Sequence, residues 1–193
     1  LANSDLPDEQ KQKFALQAQQ KIKVIDKTIQ ALLGLTTANK MPHQLISIRQ
    51  IVQDIILEMS VSHSAAIELN VEGEDKMMGA ESEVRAILHT LIVNAVESSE
   101  AVSSEAPISV SIRTQENKLK VEVADFGTGL AKEVKQSLFQ PHITTKPEGA
   151  GMGLYIAKRL CTYHYGGNIS LVDNEPQGCI ATASFNTRSE SAQ

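Results

Sequence analysis

The chain is 193 residues long, 41% hydrophobic and 21% charged, with 18 Lys+Arg against 23 Asp+Glu and a net charge of −5. That composition excludes a wholly disordered chain, and the mildly acidic balance argues against a nucleic-acid-binding face. No stretch approaches the roughly 20 apolar residues that span a bilayer, and the polar start Leu1-Ala2-Asn3-Ser4-Asp5 has no signal-peptide character. Only 4% of residues are aromatic, so the core must be aliphatic, and Cys161 and Cys179 read as reduced core residues of an intracellular protein. The chain starts without Met, which suggests a cut inside a longer protein.

Residues 8–36 carry one long helical pattern, with Phe14, Ala18, Ile22, Ile25, Ile29, Leu32 and Leu33 three or four apart almost throughout. Such a striped helix wants a partner helix. Residues 38–46 read as a polar linker with Pro42, and a second helix is expected from Ile48 to Ala65. Ile67–Val71 alternates like a half-buried strand, and Glu81–Ser99 is helical. Ile108–Arg113 and Lys118–Ala124 form an expected antiparallel pair around Glu116-Asn117. A short helix is expected at Lys132–Phe139 and a longer one at Gly153–Tyr163. Asn168–Val172 and Cys179–Phe185 close the pattern around the turn Pro176-Gln177-Gly178, and Thr187–Gln193 reads as a polar tail. The fold class is α+β, a two-layer sandwich with helices on one face of a mixed sheet.

Three segments carry chemistry. In Leu88-His89-Thr90-Leu91-Ile92-Val93-Asn94-Ala95, Asn94 is a polar residue in an apolar helix. Its amide either bonds a neighbouring carbonyl or offers an oxygen to an octahedral Mg²⁺ that keeps its waters and phosphate ligands. Asp125-Phe126-Gly127-Thr128-Gly129-Leu130 follows a strand; Asp125 is placed to accept from an exocyclic amine, and the alternate glycines let a flat ligand approach. As an ordinary strand-to-loop turn the same residues would need no ligand. Finally, Gly149, Gly151 and Gly153 precede an apolar helix, where free backbone N–H groups favour an anion, with Lys146 as a nearby cation. This run follows a Thr-rich loop rather than a strand, so it is not a dinucleotide-binding turn, and no Gly-Lys-Ser/Thr phosphate loop is present.

Together these residues resemble the ATP-binding domain of sensor histidine kinases, in the wider Bergerat-fold or GHKL group. The segment around Asn94 is similar to the N box, Asp125–Gly129 to the G1 box, Leu138-Phe139-Gln140-Pro141 to the F box, and Gly149–Leu154 to the G2 box. The resemblance covers about residues 46–187. It implies that Asn94 coordinates Mg²⁺, that Asp125 binds the adenine amino group, and that Gly127 and Gly129 shape the pocket beside it. Thr145, Lys146, Gly149, Gly151, Gly153 and Leu154 would line the phosphates, with residues 142–150 as a short lid of the nitrogen-regulator type. Asn94 and Lys146 would be the catalytic residues. The implied cofactors are ATP and Mg²⁺, and the implied partners are a response-regulator receiver domain and a second copy of the intact protein. No nucleic acid and no membrane contact by this fragment are expected; the expected location is cytoplasmic, with membrane anchoring of the parent protein left open.

The corresponding division is residues 1–37 as part of the dimerisation and phosphotransfer hairpin, 38–46 as linker, 47–187 as the ATP-binding domain and 188–193 as tail. The implied activity is transfer of the ATP γ-phosphate to a histidine and then to a response-regulator aspartate. Departures exist. Thr90 stands where the N box has its first Asn, and where ATP-hydrolysing relatives have a glutamate base, which favours a phosphoryl donor over a hydrolase. His142 replaces a second Phe of the F box, and Cys179 a common Thr. None of His43, His63, His89, His142 or His164 has the context of the family's acceptor histidine. The acceptor is therefore expected upstream of Leu1, and autophosphorylation of this chain alone is not expected. Two other readings are a non-catalytic binding module of the same fold and a serine kinase of the anti-sigma type. The intact glycines speak against the first, the long helix against the second.

Overall fold

The computed structural model describes residues 42–131, 135, 137–144 and 151–187. The long helix expected at 8–36 and the tail from 188 lie outside these residues. In chain order the elements are β1 (Gln44–Ser47), α1 (Ile48–Ser62), β2 (Ile67–Glu72), β3 (Lys76–Gly79), α2 (Glu81–Ala101), β4 (Ile108–Gln115), β5 (Lys118–Asp125), α3 (Gly153–Tyr165), β6 (Asn168–Asp173) and β7 (Cys179–Asn186).

Five strands make one sheet in the order β2-β4-β5-β7-β6, with β2 parallel to β4 and the other neighbours antiparallel. Alternation decides its two faces. Ile108, Val110, Ile112, Leu119, Val121, Val123, Ala183 and Phe185 are buried, whereas their polar neighbours Ser109, Lys120 and Thr182 are not. The buried face carries the helices. Val84, Ile87, Leu88, Leu91, Ile92, Ala95 and Val96 form the inward stripe of α2, which packs on β5, with α1 and α3 beside it. This is the expected α+β sandwich. The β4–β5 turn places both Glu116 (φ 50°) and Asn117 (φ 65°) in the left-handed region, the pattern of a tight two-residue hairpin.

Three local expectations are corrected. Residues 44–46, read as linker, belong to the strand Gln44–Ser47, because it pairs antiparallel with β3, a strand that four residues without an alternating run did not reveal. The helix expected to reach Ala65 ends at Ser62, where Glu100 of α2 holds the chain: its carboxylate meets His63 Nδ1 at 2.9 Å and accepts from Ser64 N at 3.1 Å. Of the short helix expected at Lys132–Phe139, the described residues Lys135 and Ser137–Phe139 form turns.

The start of α1 is fastened from a distance. Ser47 Oγ accepts from Gln50 N at 3.2 Å, and Asp75 Oδ2 accepts from both Ser47 Oγ at 2.5 Å and Arg49 N at 3.2 Å. Burial alone would raise the Asp75 carboxyl, but the hydrogen bonds from Ser47 and Arg49 and the Arg49 charge outweigh it and hold the group below its ordinary value.

Candidate nucleotide site

Asp125 is the last residue of β5 and only 4% exposed. Its Oδ1 accepts from Gly127 N at 2.9 Å, which bends the chain out of the sheet directly after the strand. Burial pushes its carboxyl above the ordinary range, against the pull of the Gly127 N–H, the Ser98 hydroxyl and the Cys179 backbone. The result is a desolvated carboxylate with acceptor capacity left for a donor N–H.

The loop after Asp125 is stitched from two sides. From α2, Ser98 Oγ accepts from Thr128 N at 3.0 Å and lies 3.1 Å from Thr128 Oγ1. From the β6–β7 turn, Asn174 Nδ2 donates to Asp125 O at 2.8 Å and Gln177 Nε2 donates to Gly127 O at 2.7 Å. Gly127 is required by close approach, since a Cβ there would stand 2.3 Å from the Ser98 backbone carbon. Ser98, Asn174 and Gln177 were not singled out in the sequence, where the Pro176–Gly178 stretch signalled only a turn.

The second half of the site is the start of α3. Gly151 (φ 65°) packs against the backbone of His142 and Ile143, where a Cβ would come within 2.6 Å of His142 C and Ile143 N. His142 itself adopts φ 65° and is exposed, so its backbone rather than its ring serves this contact. Gly153 opens α3, whose first turn has no side-chain cap, leaving its N–H groups to water or an anion. A Cβ at Gly153 would lie 3.2 Å from Thr90 Cγ2, so this end of α3 leans on α2. Leu154 follows, half-buried. Phe139 of the turn before it is held to α3 by Lys158, whose ammonium sits 4.8 Å from the ring centroid and also donates to Ile169 O at 2.7 Å. Gly129 closes the loop after Asp125 at φ 72°. Thr145, Lys146 and Gly149 lie outside the described residues.

Helix α2 joins the two halves. Thr90, Asn94 and Ser98 are four residues apart and therefore share one face, about 12 Å from first to last. Thr90 meets the α3 start, Ser98 meets the Asp125 loop, and Asn94 lies between them, half-buried. Thr90 Oγ1 donates to Ala86 O at 2.9 Å, within its own helix. Among the described residues no group of three or more His, Cys, Asp or Glu could hold a metal ion, so a cation here would rely on neutral oxygens such as that of Asn94 and on its own ligands. No helix of the described residues is long and apolar enough to cross a membrane. Both cysteines are buried and free, as expected.

Residues 79–189 match the family described as histidine kinase-, DNA gyrase B- and HSP90-like ATPase. The sensor histidine kinase ZraS of Klebsiella oxytoca is 26% identical over 163 residues, which cover 82% of this chain and 34% of that protein. The nitrogen regulation protein NtrY of Azorhizobium caulinodans is 35% identical over 99 residues, 49% of this chain and 13% of that protein. The chain thus spans about a third or less of the length of these relatives. In fold it resembles the catalytic domain of histidine kinase ThkA in a nucleotide-free form, with a TM-score of 0.67, 20% identity, and coverage of 76% of this chain and 97% of that one. With residues 79–189, more than half its length, matched, the chain belongs to the histidine kinase-, DNA gyrase B- and HSP90-like ATPase family.

Proposed function

We propose that this chain is the ATP-binding catalytic part of a two-component sensor histidine kinase. The observation that carries the reading is the α2 stripe, which sets a buried carboxylate loop at one end and a glycine-opened helix start at the other, with Asn94 between. Asp125 accepts from the adenine amino group, and Gly127 and Gly129 flank the ring. The phosphates lie toward Gly151, Gly153 and Leu154, with Thr145, Lys146 and Gly149 of the lid completing their cover. Asn94 offers its amide oxygen to Mg²⁺, which when bound neutralises charge on the phosphate oxygens.

The chain's own residues supply positioning and charge, which is most of what phosphoryl transfer demands. The acceptor imidazole nitrogen attacks the γ-phosphorus, the bond to the β–γ bridging oxygen breaks, and ADP leaves. Lys146 balances charge on the departing side. Thr90 carries no carboxylate and donates its hydroxyl proton to Ala86 O, so it activates no water at this position. That supports a donor over a hydrolase. In the intact protein the phosphoryl group passes on to a response-regulator aspartate, and dimerisation runs through the helical hairpin, with the catalytic part in the cytoplasm.

The test is calorimetric titration of Mg-ATP and ADP into the wild type, Asp125→Ala and Asn94→Ala. The reading requires binding by the wild type, loss of both nucleotides in Asp125→Ala, and loss chiefly of the Mg-dependent part in Asn94→Ala. A folded wild type that binds neither nucleotide is instead a non-catalytic module of this fold.

A further inference from the structure

One buried polar cluster takes no part in the site described above. Glu83, in the first turn of α2, is 8% exposed. Tyr165 Oη, at the last residue of α3, donates to Glu83 Oε2 at 2.9 Å, and His164 Nδ1 lies 3.0 Å from both Glu83 oxygens. Ala80 N extends the network by donating to Tyr165 Oη at 3.1 Å. The Tyr165 ring packs edge-on against Phe185 and stacks on His43, with centroids 5.7 Å away in each case. A buried carboxylate is costly unless satisfied, and here Tyr165 and His164, both at the end of α3, satisfy it.

Helix α3 runs back along α2. Its first residue, Gly153, lies beside Thr90, where an added Cβ would stand 3.2 Å from Thr90 Cγ2, and its last two residues meet Glu83, two turns earlier on α2. Gly153 has no side chain to engage Thr90, so this juxtaposition fixes little. Lys158 ties the middle of α3 to β6, whereas the bonds at Glu83 tie its end to α2. Thirteen residues make a helix about 20 Å long, so a pivot of about 3° at the clasp moves the other end by about 1 Å.

We infer that Glu83 is a positioning residue for phosphate binding: through Tyr165 and His164 it clasps α3 to α2 and so holds the Gly151–Gly153 end beside Thr90 of α2. This rests on the nucleotide reading proposed above. The clasp lies at the opposite end of α3 from the phosphates, away from the Asp125 loop. Its loss therefore weakens the phosphate contribution and spares the base.

The experiment compares wild type, Glu83→Ala, Tyr165→Phe and the double variant, titrating Mg-ATP by calorimetry and adenosine by NMR, with melting curves to confirm folding. Tyr165→Phe keeps the ring packing and removes only the hydroxyl. Each single variant is expected to raise the Mg-ATP Kd about tenfold, less than the roughly hundredfold in rate that a 1 Å misplacement can cost a reaction, and to leave the adenosine Kd within about twofold of wild type. The double variant should be no weaker than the worse single, since both residues act through one clasp. An unchanged Mg-ATP Kd in the folded variants, or equal weakening of both ligands, overturns the clasp. A wild type that binds adenosine and Mg-ATP equally well, or neither, overturns the nucleotide reading itself and the clasp with it.

Discussion

Replacing Asp125 by Asn separates what the carboxylate does for binding from what it costs the fold. Asn keeps the oxygen that accepts from Gly127 N at 2.9 Å and has nearly the same volume, so the loop geometry survives. The second oxygen becomes an NH₂ donor that cannot accept from an adenine amine. A hydrogen bond to a charged group contributes about 1.5–3 kcal/mol, so ATP and ADP should both bind roughly ten- to 150-fold more weakly. Stability moves the other way. Burial raises the folded carboxyl above its unfolded value, so the stability linked to the protonated form is full below the ordinary value of 3.8 and is lost as pH rises through the raised one. At neutral pH the wild type therefore carries the penalty of a buried charge, which Asp125→Asn removes. The ligand-free variant should melt higher than wild type near neutrality, and the gap should close toward acid pH. Calorimetric titration and scanning calorimetry at two pH values read both effects. Nucleotide binding within twofold of wild type, or a lower melting temperature at neutral pH, would refute this account of Asp125.

Particular contacts elsewhere set three more expected outcomes. Gly127→Ala drives a methyl group to 2.3 Å from the Ser98 backbone and should cost about 1–3 kcal/mol of overpacking, lowering the melting temperature by about 2–4 °C per kcal/mol; adding Ser98→Ala should not rescue it, because the clash includes main-chain atoms, and an unchanged melting temperature would contradict the close approach. Asp75→Ala removes the outer fastening of α1 and should cost about 1 kcal/mol in urea unfolding; since the folded carboxyl is held below 3.8, its contribution is present above that value and lost as pH falls through the lowered one, so variant and wild type should converge in acid. Burial pushes the Cys161 and Cys179 thiols up to about 12, so iodoacetamide near neutral pH should label neither in the native protein and both in denaturant, as read by mass spectrometry; rapid native labelling would mean a thiol is exposed.

Features with a local cause were legible in the sequence. The stripe of α2, the β4–β5 hairpin and the start of α3 each announce themselves within a window of about 10–20 residues. Asp125, Gly127 and Gly153 stood out by residue type and by their position at a strand end or a helix start. The β1–β3 pair did not. Four residues give no periodicity, Ile46 finds its partner Met77 only across the whole of α1 and β2, and Leu45 is exposed like a linker residue. The clasp was hidden for a similar reason: Glu83 and His164 are 81 residues apart. Ser98 looked like a polar residue late in a helix. Its role exists only because the Asp125 loop folds back onto that turn.

The stitching of residues 126–129 from α2 and from the β6–β7 turn has an entropic consequence. Side chains that must be immobilised on binding typically cost about 0.5–1.5 kcal/mol each, but the base-side backbone is already held by Ser98, Asn174 and Gln177 before any ligand arrives. Docking there orders nothing in the loop. On the nucleotide reading proposed above, a flat heteroaromatic ring with one donor N–H would therefore meet a loop already held at Asp125, whether or not it carries phosphates.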